Sequence, residues 1–308
     1  MATVLITGGT GLIGKALTKL LTDKGYQVII LTRHPKTPDG RVSYAVWDPA
    51  AKSIDTKAVQ QADYIVNLAG ENVMGKRWSK NRKQEILDSR VQSAELLADA
   101  LRQPGHQVKA VISASAIGWY GDDAKRPAGK KTFTEDDPAD KEYLGETCRL
   151  WEAAIDPVAA LGIRLVKLRT GIVLSPEGGA LEEFKKPVRF GFVTVLGSGQ
   201  QVISWIHIDD IARLYLNAIE NDQWHGAFNA VGPQPVSNKE MVATLGRKMK
   251  GSFCITLYVP TFVLKMVLGE MSVEVLKSAT VSSSKASKAG FQFLYPELGV
   301  ALDNLLKK

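Results

Sequence analysis

The chain has 308 residues, 45% of them hydrophobic and 23% charged, and carries a net charge of +7. This is the balance of a folded globular protein, one large domain or a domain with an appendage, and it excludes disordered, collagen-like and membrane-spanning classes. Two distant cysteines, Cys148 and Cys254, and four histidines without ligand spacing argue against a disulfide framework and against a metal site.

The first segment, Thr3 to Gly14, reads TVLITGGTGLIG. Val4, Leu5 and Ile6 predict a strand, the glycines a tight turn, and Leu12 to Leu21 a helix. Strand, turn and helix start in this order hold a dinucleotide pyrophosphate, because free backbone N–H groups and the positive end of the helix dipole attract phosphates. The spacing is G-x-x-G-x-x-G (Gly8, Gly11, Gly14) rather than the commoner G-x-G-x-x-G. Gly8, Thr10, Gly11, Leu12, Ile13 and Gly14 are the candidate phosphate cradle.

Gln27 to Thr32 (QVIILT) is a continuous apolar run of buried-strand type. An acid at its end would bind the ribose 2′-hydroxyl of NAD; Thr32, Arg33 and His34 stand there instead. A guanidinium grips a phosphate through paired hydrogen bonds, so Arg33 points to NADP(H). Val42 to Trp47 predicts a third strand ending at Asp48, which either accepts from the adenine amino group or anchors a turn. Asp63 to Leu68 predicts a fourth, and Leu68, Ala69 and Gly70 put small residues where backbone passes close to a cofactor.

A helix is expected over Ser79 to Leu101, with Arg90 on its solvent side, and a strand over Lys109 to Ser113. Ser115 follows at the carboxyl end, in the crevice where ligands bind. A helix over Lys141 to Leu161 and a strand over Arg164 to Arg169 complete the repeat. The expected fold is α/β, a Rossmann-type doubly wound parallel sheet with a smaller C-terminal substrate-side region. Residues 1–170 form the NADP-binding core, with segments 200–235 returning to it. Residues 171–308 form the mixed substrate side, including a helical module from about 253. His207 and Asp209 are read as structural, Asp209 as a helix N-cap.

Taken together, these segments resemble the extended short-chain dehydrogenase/reductases, the NAD(P)-dependent epimerase/dehydratase group. The motifs are TGGTGLIG (Thr7 to Gly14), NLAG (Asn67 to Gly70), SASAIGWYG (Ser113 to Gly121) and SWIHIDDIA (Ser204 to Ala212). A narrower likeness is to the atypical "epimerase family protein" branch, which has a C-terminal domain of unknown function. It rests on AGENVMGKRW (Ala69 to Trp78), Ser89-Arg90, LWEAA (Leu150 to Ala154), LRTGIVLS (Leu168 to Ser175) and the tail from Pro260 to Leu306.

The resemblance implies a serine and a Tyr-x-x-x-Lys, the tyrosine as general acid/base and the lysine lowering its pKa. Ser115 matches the serine, and Tyr143 stands at about the right distance for the tyrosine. Four residues on, however, is Thr147, which carries no charge. A phenol with a pKa of about 10 and no cation beside it stays protonated near neutrality, so it can donate but not accept. Arg149 or Lys141 could bring a cation, or Tyr120 could move the proton instead; Tyr143 is otherwise a helix-surface aromatic. The expectation is an NADP(H)-binding oxidoreductase or epimerase-like enzyme for an unidentified small molecule. Its alternative is an NADP(H)-binding sensor or scaffold without turnover.

The basic residues are scattered. Their nearest cluster, Lys125, Arg126, Lys130 and Lys131, reads as a solvated loop, so nucleic acid is not an expected partner. An anionic cofactor accounts for the positive excess equally well. A cytoplasmic monomer or homodimer, without signal peptide, membrane partner or metal, completes the expectation.

Overall fold

The computed structural model describes residues 2–126 and 128–307. β1 (Thr3–Thr7) leads through the glycine turn into α1 (Leu12–Asp23), then β2 (Gln27–Thr32), β3 (Val42–Asp48) and the short β4 (Ser53–Ile54). Next come α2 (Thr56–Gln61), β5 (Tyr64–Asn67), α3 (Lys80–Leu101), β6 (Ala110–Ala116), α4 (Tyr143–Ile155) and β7 (Arg164–Thr170). Val4, Leu5 and Ile6 are wholly buried, as a strand covered by helices on both faces must be. Asp55 caps α2 and Ser79 caps α3, each accepting from backbone amides of the first turn.

The main sheet has the order β13-β7-β6-β5-β1-β2-β3-β4, where β13 is Gly226–Ala230. All of its pairings are parallel except that of β4. Chain order reverses between β1 and β5. Right-handed crossovers therefore place α1 on one face and α3 with α4 on the other, and the switch opens a crevice at the carboxyl ends of β1 and β5. Register puts Thr7 opposite Asn67, Asn67 opposite Ser113, and Ser115 opposite Arg169.

Beyond β7 the chain makes β8 (Ile172–Ser175), β9 (Gly178–Gly179), α5 (Ala180–Arg189), β10 (Phe192–Leu196), β11 (Val202–Ile203), β12 (Trp205–His207) and α6 (Ile208–Glu220). After β13 follow β14 (Val236–Ser237), α7 (Asn238–Lys250), β15 (Ile255–Val259), α8 (Thr261–Leu268), α9 (Ser272–Leu276), α10 (Ser284–Lys288) and α11 (Leu298–Leu305). The segment from residue 253, expected to be helical, thus opens on a strand, and β15 pairs parallel with β10. Helix α6 starts at Ile208, two residues before the start that an Asp209 N-cap would set. Its N-cap is His207, whose Nδ1 accepts from the Asp209 amide at 3.0 Å, so Asp209 belongs to the first turn.

The tail recrosses the molecule. Ser278 and Thr280 donate to the Asp123 carboxylate, and the amides of Leu294 and Tyr295 donate to Asp210. Among the described residues no helix is long and apolar enough to cross a membrane.

Candidate functional site

The glycine turn folds back on itself. Gly8 has φ +66°, the left-handed region, and a Cβ there would lie 2.8 Å from the carbonyl carbon and oxygen of Leu68. A Cβ on Gly14 would lie 2.4 Å from the Gly8 oxygen. Thr10 and Gly11 are exposed, Leu12 and Ile13 half-buried. Gly11 is the N-cap of α1 and offers no side-chain acceptor, so the first-turn amides have no side-chain partner and face outward at the positive end of the helix. That is the donor set a pyrophosphate requires.

Thr7 ties this turn to the next loop. Its hydroxyl donates to Asn67 Oδ1 at 2.7 Å and accepts from the amides of Leu68 and Ala69, both at 3.0 Å. Asn67 in turn donates to Ser113 Oγ. This polar row spans three adjacent strand ends and fixes the small residues Leu68, Ala69 and Gly70 beside the turn. Arg33, just past β2, is exposed and has no hydrogen bond or ion pair to a described residue. Asp48 is used as a turn anchor, with Oδ1 accepting from the amides of Ala50 and Ala51.

The loop after Gly70 is clamped from α3. Buried Arg82 bonds the Glu71 and Glu85 carboxylates and the Asn72 carbonyl. Arg90 was expected on the solvent side; it is instead turned in, bonding the Ile86 and Glu71 carbonyls with its guanidinium over the Trp151 ring. Burial pulls its pKa down from the usual guanidinium value.

Ser115 and Tyr143 make no hydrogen bond to each other. Ser115, 2% exposed, donates to Glu152 Oε1 at 2.7 Å, and Glu152 is forked by Arg169 at 2.8 and 3.1 Å. Arg169 also donates to the Tyr120 hydroxyl, which donates to Asn229, and it stacks on Trp119. Tyr120 is thus built into the core, and burial raises its pKa.

Tyr143 opens α4, donates its hydroxyl to the Lys83 carbonyl at 2.9 Å and packs edge-on against Trp78. Thr147 bonds back to the Tyr143 carbonyl. Neither Arg149, paired with Glu146, nor Lys141 brings a cation to it. The Lys83 ammonium, which pairs with Glu270, lies 5.1 Å from the Tyr143 ring centroid, and the Arg90 and Arg82 guanidinium groups act on the phenol from α3. Burial raises the Tyr143 pKa although Arg90 and Arg82 oppose it, so the phenol is held protonated.

Sequence reasoning missed Glu152 and Arg169. The available signals were a lone acid in LWEAA and an arginine in register with Ser115; only tertiary packing joins them. No group of His, Cys, Asp and Glu among the described residues could hold a metal ion.

Residues 4–231 match the NAD dependent epimerase/dehydratase family, and residues 259–305 match a domain of unknown function, DUF1731. The epimerase family protein YfhF of Bacillus subtilis is 35% identical over 305 residues, covering 98% of this chain and 97% of that protein. An epimerase family protein of Mycobacterium leprae is 34% identical over 302 residues, covering 98% and 94%. The crystal structure of the human epimerase family protein SDR39U1 with NADPH superposes with a TM-score of 0.84 at 32% identity, covering 98% of each chain. UDP-N-acetylglucosamine 4-epimerase from Bacillus cereus shares the fold, with a TM-score of 0.75 at 20% identity. The chain therefore belongs to the NAD dependent epimerase/dehydratase family, in the branch of epimerase family proteins that end in DUF1731.

Proposed function

We propose that this chain binds NADP(H), with the pyrophosphate on the first turn of α1 and the 2′-phosphate on Arg33. One observation carries the reading: an uncapped helix N-terminus stands beside a β2 end whose arginine has no partner among the described residues and which lacks the acid that would repel a phosphate. The Gly8 and Gly14 contacts fit, since a side chain at either would push apart the backbone that forms the cradle. Asp48 would serve the adenine and Leu68 to Gly70 the neighbouring ribose and phosphate. The NADPH named with the human relative supports the phosphorylated form.

Bound NADPH supplies a hydride. The residues of this chain favour the reductive direction, because Tyr143 is a protonated donor and not a base. In that reading Tyr143 leaves the Lys83 carbonyl to protonate the oxygen of a carbonyl substrate, and Ser115 orients that oxygen. A second reading, binding without turnover, draws on the Ser115–Glu152 bond, which occupies the serine hydroxyl inside the core.

Calorimetry with NADPH and NADH tests the binding. Charge-assisted bonds of about 1.5–3 kcal/mol predict that Arg33→Ala weakens NADPH by roughly 10- to 150-fold and leaves NADH unchanged. Heat with neither coenzyme overturns the proposal; equal affinities overturn the Arg33 assignment alone. NADPH oxidation across a carbonyl panel, lost in Tyr143→Phe and Ser115→Ala while binding persists, selects the reductase. Tight binding without turnover selects the second reading.

A further inference from the structure

Far from the crevice, two turns carry apolar side chains into solvent. Phe190 follows α5 and is 81% exposed; Phe253 follows α7 and is 89% exposed. The turns are adjacent, since the Ile255 amide donates to the Gly191 carbonyl. From them run β10 and β15. Phe192, Ile255 and Leu257 share the outer face of this small sheet by register, and all three are exposed. The two phenylalanines alone show about 300 Å², near the roughly 300–600 Å² of the largest apolar patch on an ordinary soluble monomer. The strands extend the patch further.

Basic residues outnumber acidic ones around the patch. Residues 184–208 and 241–269 contain no aspartate or glutamate. They contain Lys185, Lys186 and Arg189 at the end of α5, and Arg247, Lys248 and Lys250 at the end of α7. Glu182 and Glu183 partner the first three, and Asp303 partners Lys248. Arg247 bonds only the Thr244 hydroxyl, and Lys250 has no partner among the described residues.

We propose that this tip docks on an anionic lipid surface, with Phe190 and Phe253 entering the interface and Arg247 and Lys250 meeting the headgroups. An exposed aromatic pair inside a basic collar is the pattern of interfacial attachment, which needs no membrane span. A two-fold contact between copies would set each basic collar against its twin, so charge disfavours that occupant. The tip is also the far end of its sheet. At the other end Gly197 meets Thr261 and Leu276, on the segment that carries Glu270 to Lys83. About 16 Å of strand separates the two ends, so the surface is distinct from the crevice and independent of its chemistry.

Flotation of the full chain with vesicles tests this. The protein floats with equal parts phosphatidylcholine and phosphatidylglycerol, and stays behind with phosphatidylcholine alone. Phe190→Ser/Phe253→Ser lowers partitioning by roughly 100-fold. Arg247→Gln/Lys250→Gln lowers it by roughly 25-fold, and added salt weakens the wild type. Both variants keep the wild-type melting midpoint, since these side chains are exposed. Failure to float with anionic vesicles, or equal flotation of the phenylalanine variant, overturns the proposal. So does a solution dimer that the phenylalanine variant converts to monomer, because a second copy then occupies the patch.

Discussion

Arg169→Met removes the centre of the buried chain that holds the end of β6. Arg169 is 3% exposed and Glu152 4%. The substitution strips two bonds from the Glu152 carboxylate, at 2.8 and 3.1 Å. It leaves that carboxylate with the Ser115 hydroxyl at 2.7 Å and the Lys167 ammonium at 3.5 Å. Breaking one side of a buried pair costs about 3–5 kcal/mol, because the other charge stays in a poorly solvating interior. Lys167 offsets part of that, so we expect about 3 kcal/mol, and a melting midpoint lower by roughly 5 °C for a chain of this size. Adding Glu152→Gln removes the stranded charge and keeps a partner for Ser115, so the double variant is more stable than Arg169→Met alone. The assay is a double-mutant cycle by denaturant unfolding of the four proteins. Strict additivity of the two single costs would refute the coupling.

Other perturbations probe the rest of the molecule. Gly14→Val drives side-chain atoms into the Gly8 carbonyl, so NADPH no longer raises the melting midpoint in a thermal-shift assay, whereas it does for the wild type. Arg90→Met frees the Glu71 carbonyl, so limited trypsin digestion cuts after Lys76 or Arg77 at least several times faster than in the wild type. Burial lowers the His207 pKa against the opposing pull of Asp209 and Asp210. The unfolded chain therefore takes this proton more readily. The stability contribution present above pH about 6.5 is lost as pH falls through that value towards the folded pKa. Denaturant midpoints between pH 5 and about 7.5 check it, and His207→Gln flattens this part of the profile.

The legible parts of the fold were those with local causes. QVIILT is a strand because an uninterrupted apolar run is what a doubly covered sheet needs, and the helix expected over Ser79 to Leu101 forms over Lys80–Leu101 because its apolar residues recur at helical spacing. β15 was not legible. The five-residue ITLYV segment is short and the apolar α8 follows at once, so the two read as one apolar stretch whose period does not separate strand from helix. Arg90 was misread because its partners, the Glu71 carbonyl and the Trp151 ring, lie 19 and 61 positions away along the chain. The surroundings of Ser115 were hidden for the same reason. Alternation along β6 puts Ser113 and Ser115 on one face, but only packing shows which helix residue meets them.

The recrossing tail has a bearing on how the protein is made. On the ribosome, β1 to β7 emerge and can pair well before their last supports exist. Asp123 waits for Ser278 and Thr280, and His207 for Asn304, 97 positions downstream. A nascent chain that already holds its nucleotide loop therefore leaves the turn after β6 without its tether until residue 280 has emerged, and the His207 ring without its second partner until residue 304 has.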